Sequence, residues 1–177
     1  MNVLIMYSGG VESTALIQHA IKQKVDYTLV HVTHNNSSKN EMASCIDSVY
    51  EVVINKPAFD AKFTNPHADI SLWLSTAMQV VGRGNFDQVW FGAHSHDNLS
   101  KVPIMQSTFR HMMRILRIDC KLKAPLMNMD KYDQYHMLTF EQKQSIVSCK
   151  NGINNEQCGQ CGKCQEFERY VLRYLGN

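Results

Sequence analysis

An open, doubly wound parallel α/β sheet is the fold class that this chain predicts. Short runs rich in β-branched and aromatic residues recur along it, stretches of helical periodicity separate them, and the first run breaks off at a pair of glycines. The runs at 3–7, 27–32, 50–54 and 88–91 read as buried strands, with a weaker fifth at 122–124. Between the first two, the stretch 12–24 carries Ala15, Leu16, His19 and Ala20 near helical spacing. A second helix is predicted over 68–81, which is apolar through Trp73, Leu74, Ala77, Met78, Val80 and Val81. This β-α-β-α-β order favours right-handed crossovers and sets ligands at the carboxyl ends of the strands, where the strand order reverses. Further helices are expected at 106–118, at 130–147 with an interruption, and at 164–175, with Phe167, Val171, Leu172 and Leu175 on one side.

With 177 residues the chain suffices for one well-buried domain and a small appendage, since about 100–200 residues is the usual domain size. Hydrophobic residues at 44% and charged residues at 19% describe a globular protein rather than a disordered one. A net charge of +2 is too small to argue for nucleic-acid or membrane binding, which needs a clustered basic face. The start of the chain has no signal-peptide pattern, and its apolar run is far shorter than the ~20 residues of a membrane span. The expectation is a soluble, cytoplasmic protein. In a reducing compartment, clustered cysteines indicate a metal site in preference to disulfides.

The chain opens MNVLIMYSGGVESTAL. Consecutive backbone N–H groups at a helix N-terminus can hold a phosphate where no Cβ blocks its approach, and Ser8-Gly9-Gly10-Val11-Glu12-Ser13 meets that requirement. Gly9 and Gly10 permit the tight turn, while Ser8, Ser13 and Thr14 can donate hydroxyl hydrogen bonds. The blander alternative is a Gly-Gly turn with a Ser/Thr helix cap. The spacing is neither that of a Walker loop nor that of a GxGxxG fingerprint.

Near the other end stands CKNGINNEQCGQCGKC. Its Cys149, Cys158, Cys161 and Cys164 make a tetrahedral zinc site, because two-residue gaps let neighbouring sulfurs reach one ion at about 2.3 Å. Four sulfurs leave no open coordination position, so the role is structural. Cys45 and Cys120 lie outside the cluster and read as small buried apolar residues.

The glycine segment resembles the SGGxDS pyrophosphate loop of the N-type ATP pyrophosphatases, which cleave ATP between the α and β phosphates to adenylate a substrate. Glu12 stands where that pattern has Asp. Loop and cysteines together resemble the 7-cyano-7-deazaguanine synthase family. Ala124-Pro125-Leu126-Met127-Asn128-Met129-Asp130-Lys131 is similar to its TPLMWLDK segment, and Cys149-Lys150-Asn151-Gly152 with Cys158-Gly159-Gln160-Cys161 to its CYNG…CGxCxxC ending. Val89-Trp90-Phe91-Gly92 with Asp97 resembles the strand and acid ahead of its substrate segment. At Lys101-Val102-Pro103-Ile104-Met105-Gln106, where the family shows YPDCR, only the proline is kept and Ile104 replaces an acid. The Gly-Arg-Asn ahead of the family's third helix is replaced by Asn65-Pro66-His67-Ala68-Asp69.

The resemblance implies an adenine nucleotide alpha hydrolase-like (Rossmann-like) ATP-binding domain over 1–148, with a small zinc-binding helical extension at 149–177 packed on it. It implies a ligase that turns 7-carboxy-7-deazaguanine and ammonia into the nitrile through adenylated intermediates, in queuosine or deazapurine biosynthesis. ATP, Mg2+ and one structural Zn2+ per chain would serve it, with no nucleic acid required and no membrane, and a homodimer is compatible with it.

Catalytic roles fall to Ser13, Glu12, Lys131 and Asp97. Lys131, at the start of a predicted helix, could neutralise charge on the leaving pyrophosphate. Asp97 is a substrate or metal contact. Nucleotide contacts fall to Ser8, Gly9, Gly10, Val11, Glu12, Ser13 and Thr14, and after the second strand to Val32 and His34 through their backbone. His94, His96 and Asp97 read either as polar pocket lining or as a metal triad. Arg110, Arg114 and Arg117 share a helix face that is solvated or meets phosphate or a partner. Two other functions compete: an amide-forming or tRNA-thiolating enzyme with the same loop, and a degenerate nucleotide-binding module whose zinc knuckle contacts nucleic acid. A thiolase would want an activated cysteine near the nucleotide, and the small net charge speaks against the module.

Overall fold

A computed structural model of the chain describes residues 1–33, 49–53, 68–146, 149 and 158–172. The expectations placed on His34 and Cys45 lie outside these residues. In chain order the elements are β1 (Asn2–Tyr7), α1 (Val11–Gln23), β2 (Asp26–Thr33), β3 (Val49–Val53), α2 (Ala68–Val81), β4 (Gln88–Trp90), α3 (Lys101–Leu116), β5 (Lys121–Lys123), α4 (Lys131–His136), α5 (Phe140–Ser145) and α6 (Gly162–Phe167). The last runs on as a π-helical turn over Glu168–Leu172.

Among the described residues the strands form one five-stranded sheet in the order β3-β2-β1-β4-β5. Every pairing is parallel. The chain builds outward from β1 to β2 and β3, then returns across β1 to lay down β4 and β5. Strand order therefore reverses between β1 and β4, and the crevice at their carboxyl ends is where such a sheet binds ligands. The segments that leave these two ends are Ser8–Gly10 and Gly92–Asp97.

Alternation within β1 explains its continuous apolar reading. Leu4 and Met6 join a core with Val30, Leu74, Phe109 and Leu122, while Val3, Ile5 and Tyr7 join a second core with Ala15, Leu16, Leu29 and Trp90. Both faces are covered from Val3 to Tyr7, so that stretch reads as one apolar run, and only Asn2 at the strand's open end is polar. Phe167 and Val171 are buried in the core that α1 shares, which docks the C-terminal segment against the glycine-loop helix.

Helix boundaries differ from the sequence expectation in three places. α3 starts at Lys101, ahead of the predicted 106, because Pro103 lies in the first turn, where a missing N–H removes no intrahelical bond. The stretch 130–147 is two helices, since Thr139 opens α5 with a capping box: its hydroxyl accepts from the Gln142 N–H at 3.3 Å and its own N–H donates to Gln142 Oε1 at 3.0 Å. The helix predicted from 164 begins at Gly162 and changes pitch at Glu168.

Candidate active site and cysteine centre

The turn out of β1 needs glycine. Gly9 has φ +80°, in the left-handed region, and Gly10 is the extended N-cap of α1 with no side-chain cap. Three donors converge on the Gly10 carbonyl: the Thr14 N–H at 3.1 Å, the Thr14 hydroxyl at 2.9 Å and the Ser13 hydroxyl at 3.1 Å. Ser13 Oγ also accepts from the Ser8 N–H at 3.2 Å. Ser13 and Thr14 are each only 2% exposed, so their hydroxyls tie the loop to its helix. The first-turn N–H groups of α1 have no intrahelical acceptor, the arrangement in which a helix N-terminus can hold an anion.

Gly92, at the end of β4, lies against the same turn. A Cβ there would fall 2.7 Å from Glu12 Cβ, 3.1 Å from the Glu12 carbonyl carbon and 3.2 Å from Ser13 N. Only glycine lets β4 approach so closely. Beyond it, Lys131 Nζ sits 2.7 Å from Glu12 Oε1 and 2.5 Å from Glu166 Oε1, with 1% of its side chain exposed. Lys163 Nζ holds the other oxygen of Glu166 at 3.0 Å. Burial opposes the charge on both carboxylates, but Lys131 and Lys163 outweigh it for Glu12, and His94, Lys131 and Lys163 do so for Glu166. Both stay ionised well below the ordinary carboxylate range.

His94 is 2% exposed and its tautomer follows from its neighbours. Nδ1 accepts from the His96 N–H at 3.2 Å, so the neutral ring carries its proton on Nε2 and donates it to Glu166 Oε1 at 3.1 Å. Asp97 folds back to accept from the His94 N–H at 2.9 Å. The His96 ring instead stacks on Tyr170, with centroids 4.6 Å apart. The group that does converge within 4.8 Å is Glu12, His94 and Glu166, where the Lys131 ammonium already serves both carboxylates.

Asp130 caps α4, accepting from the Asp133 N–H at 2.7 Å, and so sets Lys131 at the first helical position. One turn on, the fully buried Gln134 donates its amide hydrogens to Ala93 O at 2.8 Å and Leu126 O at 3.0 Å, with Met129 O at 3.3 Å sharing them. Ser95 N–H adds a bond to Met129 O at 3.0 Å. These bonds clasp the loop after β4 to the Pro125 segment and hold Lys131 over the crevice.

Beside Gly92 opens a cavity of about 480 Å³. Trp73 and Phe91, in an edge-to-face pair with centroids 5.8 Å apart, form one wall with Val102 and Met105, and Asp97, Lys101 and Lys163 supply charge. Ile104, which replaces an acid of the family pattern, is 67% exposed and takes no part in the lining. Val32 lies near the carboxyl end of β2, in register with Val52.

The four cysteines form a separate centre. Sγ separations are 3.9 Å for Cys149 and Cys161, 4.0 Å for Cys158 and Cys164, and 3.5 Å for Cys161 and Cys164. Backbone N–H groups of Cys158 and Cys161 donate to the sulfurs of Cys149 and Cys158 at 3.3 Å and 3.4 Å. Bonds of about 2.3 Å at tetrahedral angles place sulfurs about 3.8 Å apart, so the set fits one four-coordinate ion. A 4Fe–4S cluster, which puts each thiolate on a different iron, needs a wider spread. Cys120 is buried and its thiol is pushed up to about 11 by that burial.

Of the residues proposed from sequence, the structure gathers Glu12, Ser13, Lys131 and Asp97 at one crevice, and sets the four cysteines apart from it. Gln134, Lys163 and Glu166 were not expected there, and Gly92 was expected only as part of the segment after the fourth strand. Gly92 had a local signal, a glycine directly after a strand; the other three had none, because their partners are remote in sequence.

The fold is that of the PP-loop ATP pyrophosphatases, a Rossmann-like sheet with a glycine loop after its first strand. The chain belongs to the family of the queuosine biosynthesis protein QueC, whose model matches residues 70–171, more than half of its length. That match takes in Gly92, Lys131 and the cysteine centre, while the glycine loop precedes it and stands on its own geometry. None of the curated proteins matches the chain. Among solved structures, a predicted subunit of tRNA methyltransferase from Methanocaldococcus jannaschii superposes with a TM-score of 0.52 at 13% identity, over 77% of this chain and 73% of that one. The U34-tRNA thiolase NcsA from Methanococcus maripaludis, with its 4Fe–4S cluster, gives 0.50 at 12% identity over 96% and 67%. At these identities the likeness is one of fold. No helix among the described residues is long and apolar enough to cross a membrane.

Proposed function

We propose that the protein is an ATP-dependent ligase that converts 7-carboxy-7-deazaguanine and ammonia into 7-cyano-7-deazaguanine. One observation carries this reading: the anion-holding loop and the ring-lined cavity share the crevice between β1 and β4, joined through Gly92, Glu12 and the buried Lys131 ammonium. The cavity suits a flat heteroaromatic acid, whose ring faces Trp73 and Phe91 and whose carboxylate turns toward the loop.

The first-turn N–H groups after Gly10 hold the β and γ phosphates. The substrate carboxylate oxygen attacks the α-phosphorus, the bond to pyrophosphate breaks, and Lys131 offsets the charge that builds on the leaving group. Mg2+, when bound, would offset the phosphate charge, and the Glu12 carboxylate is the hard oxygen donor that would hold it. Ammonia then displaces AMP to give the amide. A second adenylation, on the amide oxygen, makes AMP the leaving group where hydroxide would be a poor one, and loss of AMP with the nitrogen-bound protons leaves the nitrile. Zinc held by Cys149, Cys158, Cys161 and Cys164 would have no open position at which to activate water, and would staple the C-terminal segment. The high thiol pKa of Cys120 favours this route over thiol-dependent sulfur transfer at that residue.

The test is to incubate purified protein with ATP, ammonia and 7-carboxy-7-deazaguanine and to separate products by mass. Nitrile is the expected product. Recovery of the acid unchanged, with ATP intact, would contradict the reading.

A further inference from the structure

Lys163 stands between two of the clustered cysteines, where the metal centre asks nothing of its side chain. That side chain leaves the sulfurs and lines the cavity beside Gly92. Its ammonium is 3.0 Å from Glu166 Oε2, and Glu166 Oε1 in turn holds Lys131 and His94. An ammonium has three donors, so Glu166 leaves two for an occupant of the cavity. The side chain is 43% exposed, which allows such an occupant to reach it.

We propose that Lys163 is a substrate-binding residue: its ammonium pairs with the carboxylate of the ring-bearing acid in the cavity, and Glu166 positions it there. The proposal rests on the ligase reading above. It gives the cysteine centre a second consequence. Cys161 is the N-cap of α6, so the metal that fixes the sulfurs also fixes the direction in which Lys163 leaves the helix. No metal ligand is spent on the substrate, and the knuckle delivers a cation to the site.

The chemistry supplies an internal control, because the acid is charged and the amide that follows it is neutral. Lys163 should matter far more for the first adenylation than for the second. Wild type, Lys163→Met and Lys163→Arg are each given ATP and ammonia with the acid, and ATP with the amide, while metal content and melting temperature are recorded. Losing a charge-assisted contact should raise KM for the acid on the order of tenfold in Lys163→Met. Amide-to-nitrile turnover should fall far less than turnover of the acid, metal content should stay at the wild-type value, and Lys163→Arg should recover most of the KM. Equal losses for acid and amide, a loss that tracks metal content, or no loss at all would overturn the proposal. If wild type turns over neither compound, the ligase reading fails instead. Calorimetric titration with the acid then decides for Lys163: weaker binding by Lys163→Met supports it, and equal binding overturns it.

Discussion

The Lys131 ammonium lies 2.7 Å from the Glu12 carboxylate, which joins the helix that opens after the Pro125 segment to the first turn after the glycine loop. Glu166 reaches the same nitrogen from the C-terminal segment. Removing Lys131 would leave the Glu12 and Glu166 carboxylates facing one another with only the more exposed Lys163, on the far oxygen of Glu166, as counter-charge. Lys131→Met is expected to cost about 3–5 kcal/mol in a urea melt, as breaking a buried ion pair does. It should also lower turnover about 100-fold or more, the scale of a lost transition-state electrostatic contact. Wild-type stability and rate in this variant would mean that the lysine is a bystander.

Gly92→Ala tests the close approach of β4 to the loop. Its new methyl would lie 2.7 Å from Glu12 Cβ, with Glu12 and Ser13 backbone just behind, so no flexible side-chain end can yield. Overpacking of this kind costs about 1–3 kcal/mol, and the displaced Glu12 should lower turnover as well. Thermal melts and initial rates on one preparation would check both. A variant with unchanged melting point and activity would show that the crevice is looser than described.

Acid sensitivity follows from the carboxylates. Glu166 has a folded pKa below its unfolded value of about 4.3, so between the two the unfolded chain binds more protons. The stability it contributes is complete above the unfolded value and is lost as pH falls through the folded one. Melting temperature should therefore be level from pH 7 to about 5 and decline below about 4.3. Thiolate protonation releases metal in acid too, so the informative quantity is the difference between wild type and Glu166→Gln. That difference should shrink as pH falls. A constant difference from pH 8 to 3 would remove Glu166 from the account.

What is legible in the sequence is what is local. β1 is apolar from Val3 to Tyr7 because two cores cover it, and that run, together with the break at Gly9, marks both the strand and the loop. The cysteine spacing is local as well. α3 is harder to read, since Pro103 in its first turn looks like a breaker before the helix. Glu166 and Lys163 are illegible for another reason: they reach the loop only because Phe167 and Val171 bury against the α1 core, folding the C-terminal segment back. Gln134 reads as one more polar helical residue until three carbonyls are brought around it.

Zinc binding and stability should fall together. Cys161 Sγ lies 3.5 Å from Cys164 Sγ and 3.9 Å from Cys149 Sγ, so Cys161→Ser removes one corner of the tetrahedron. Structural zinc is worth about 10 kcal/mol or more of apparent binding free energy at neutral pH, comparable with the stability of a whole domain. Metal analysis should find one zinc per wild-type chain and less in the variant, with a lower melting temperature. Zinc retained in full by Cys161→Ser would reject the four-thiolate assignment.

The central claim is that the loop after β1 holds pyrophosphate while an acid in the neighbouring cavity attacks the α-phosphorus. The direct measurement is the fate of the nucleotide when ATP is turned over in the presence of the acid, with products separated by anion exchange. AMP and pyrophosphate, formed in equal amounts and only when the acid is present, are the predicted result. Acid-dependent ADP and phosphate would contradict it.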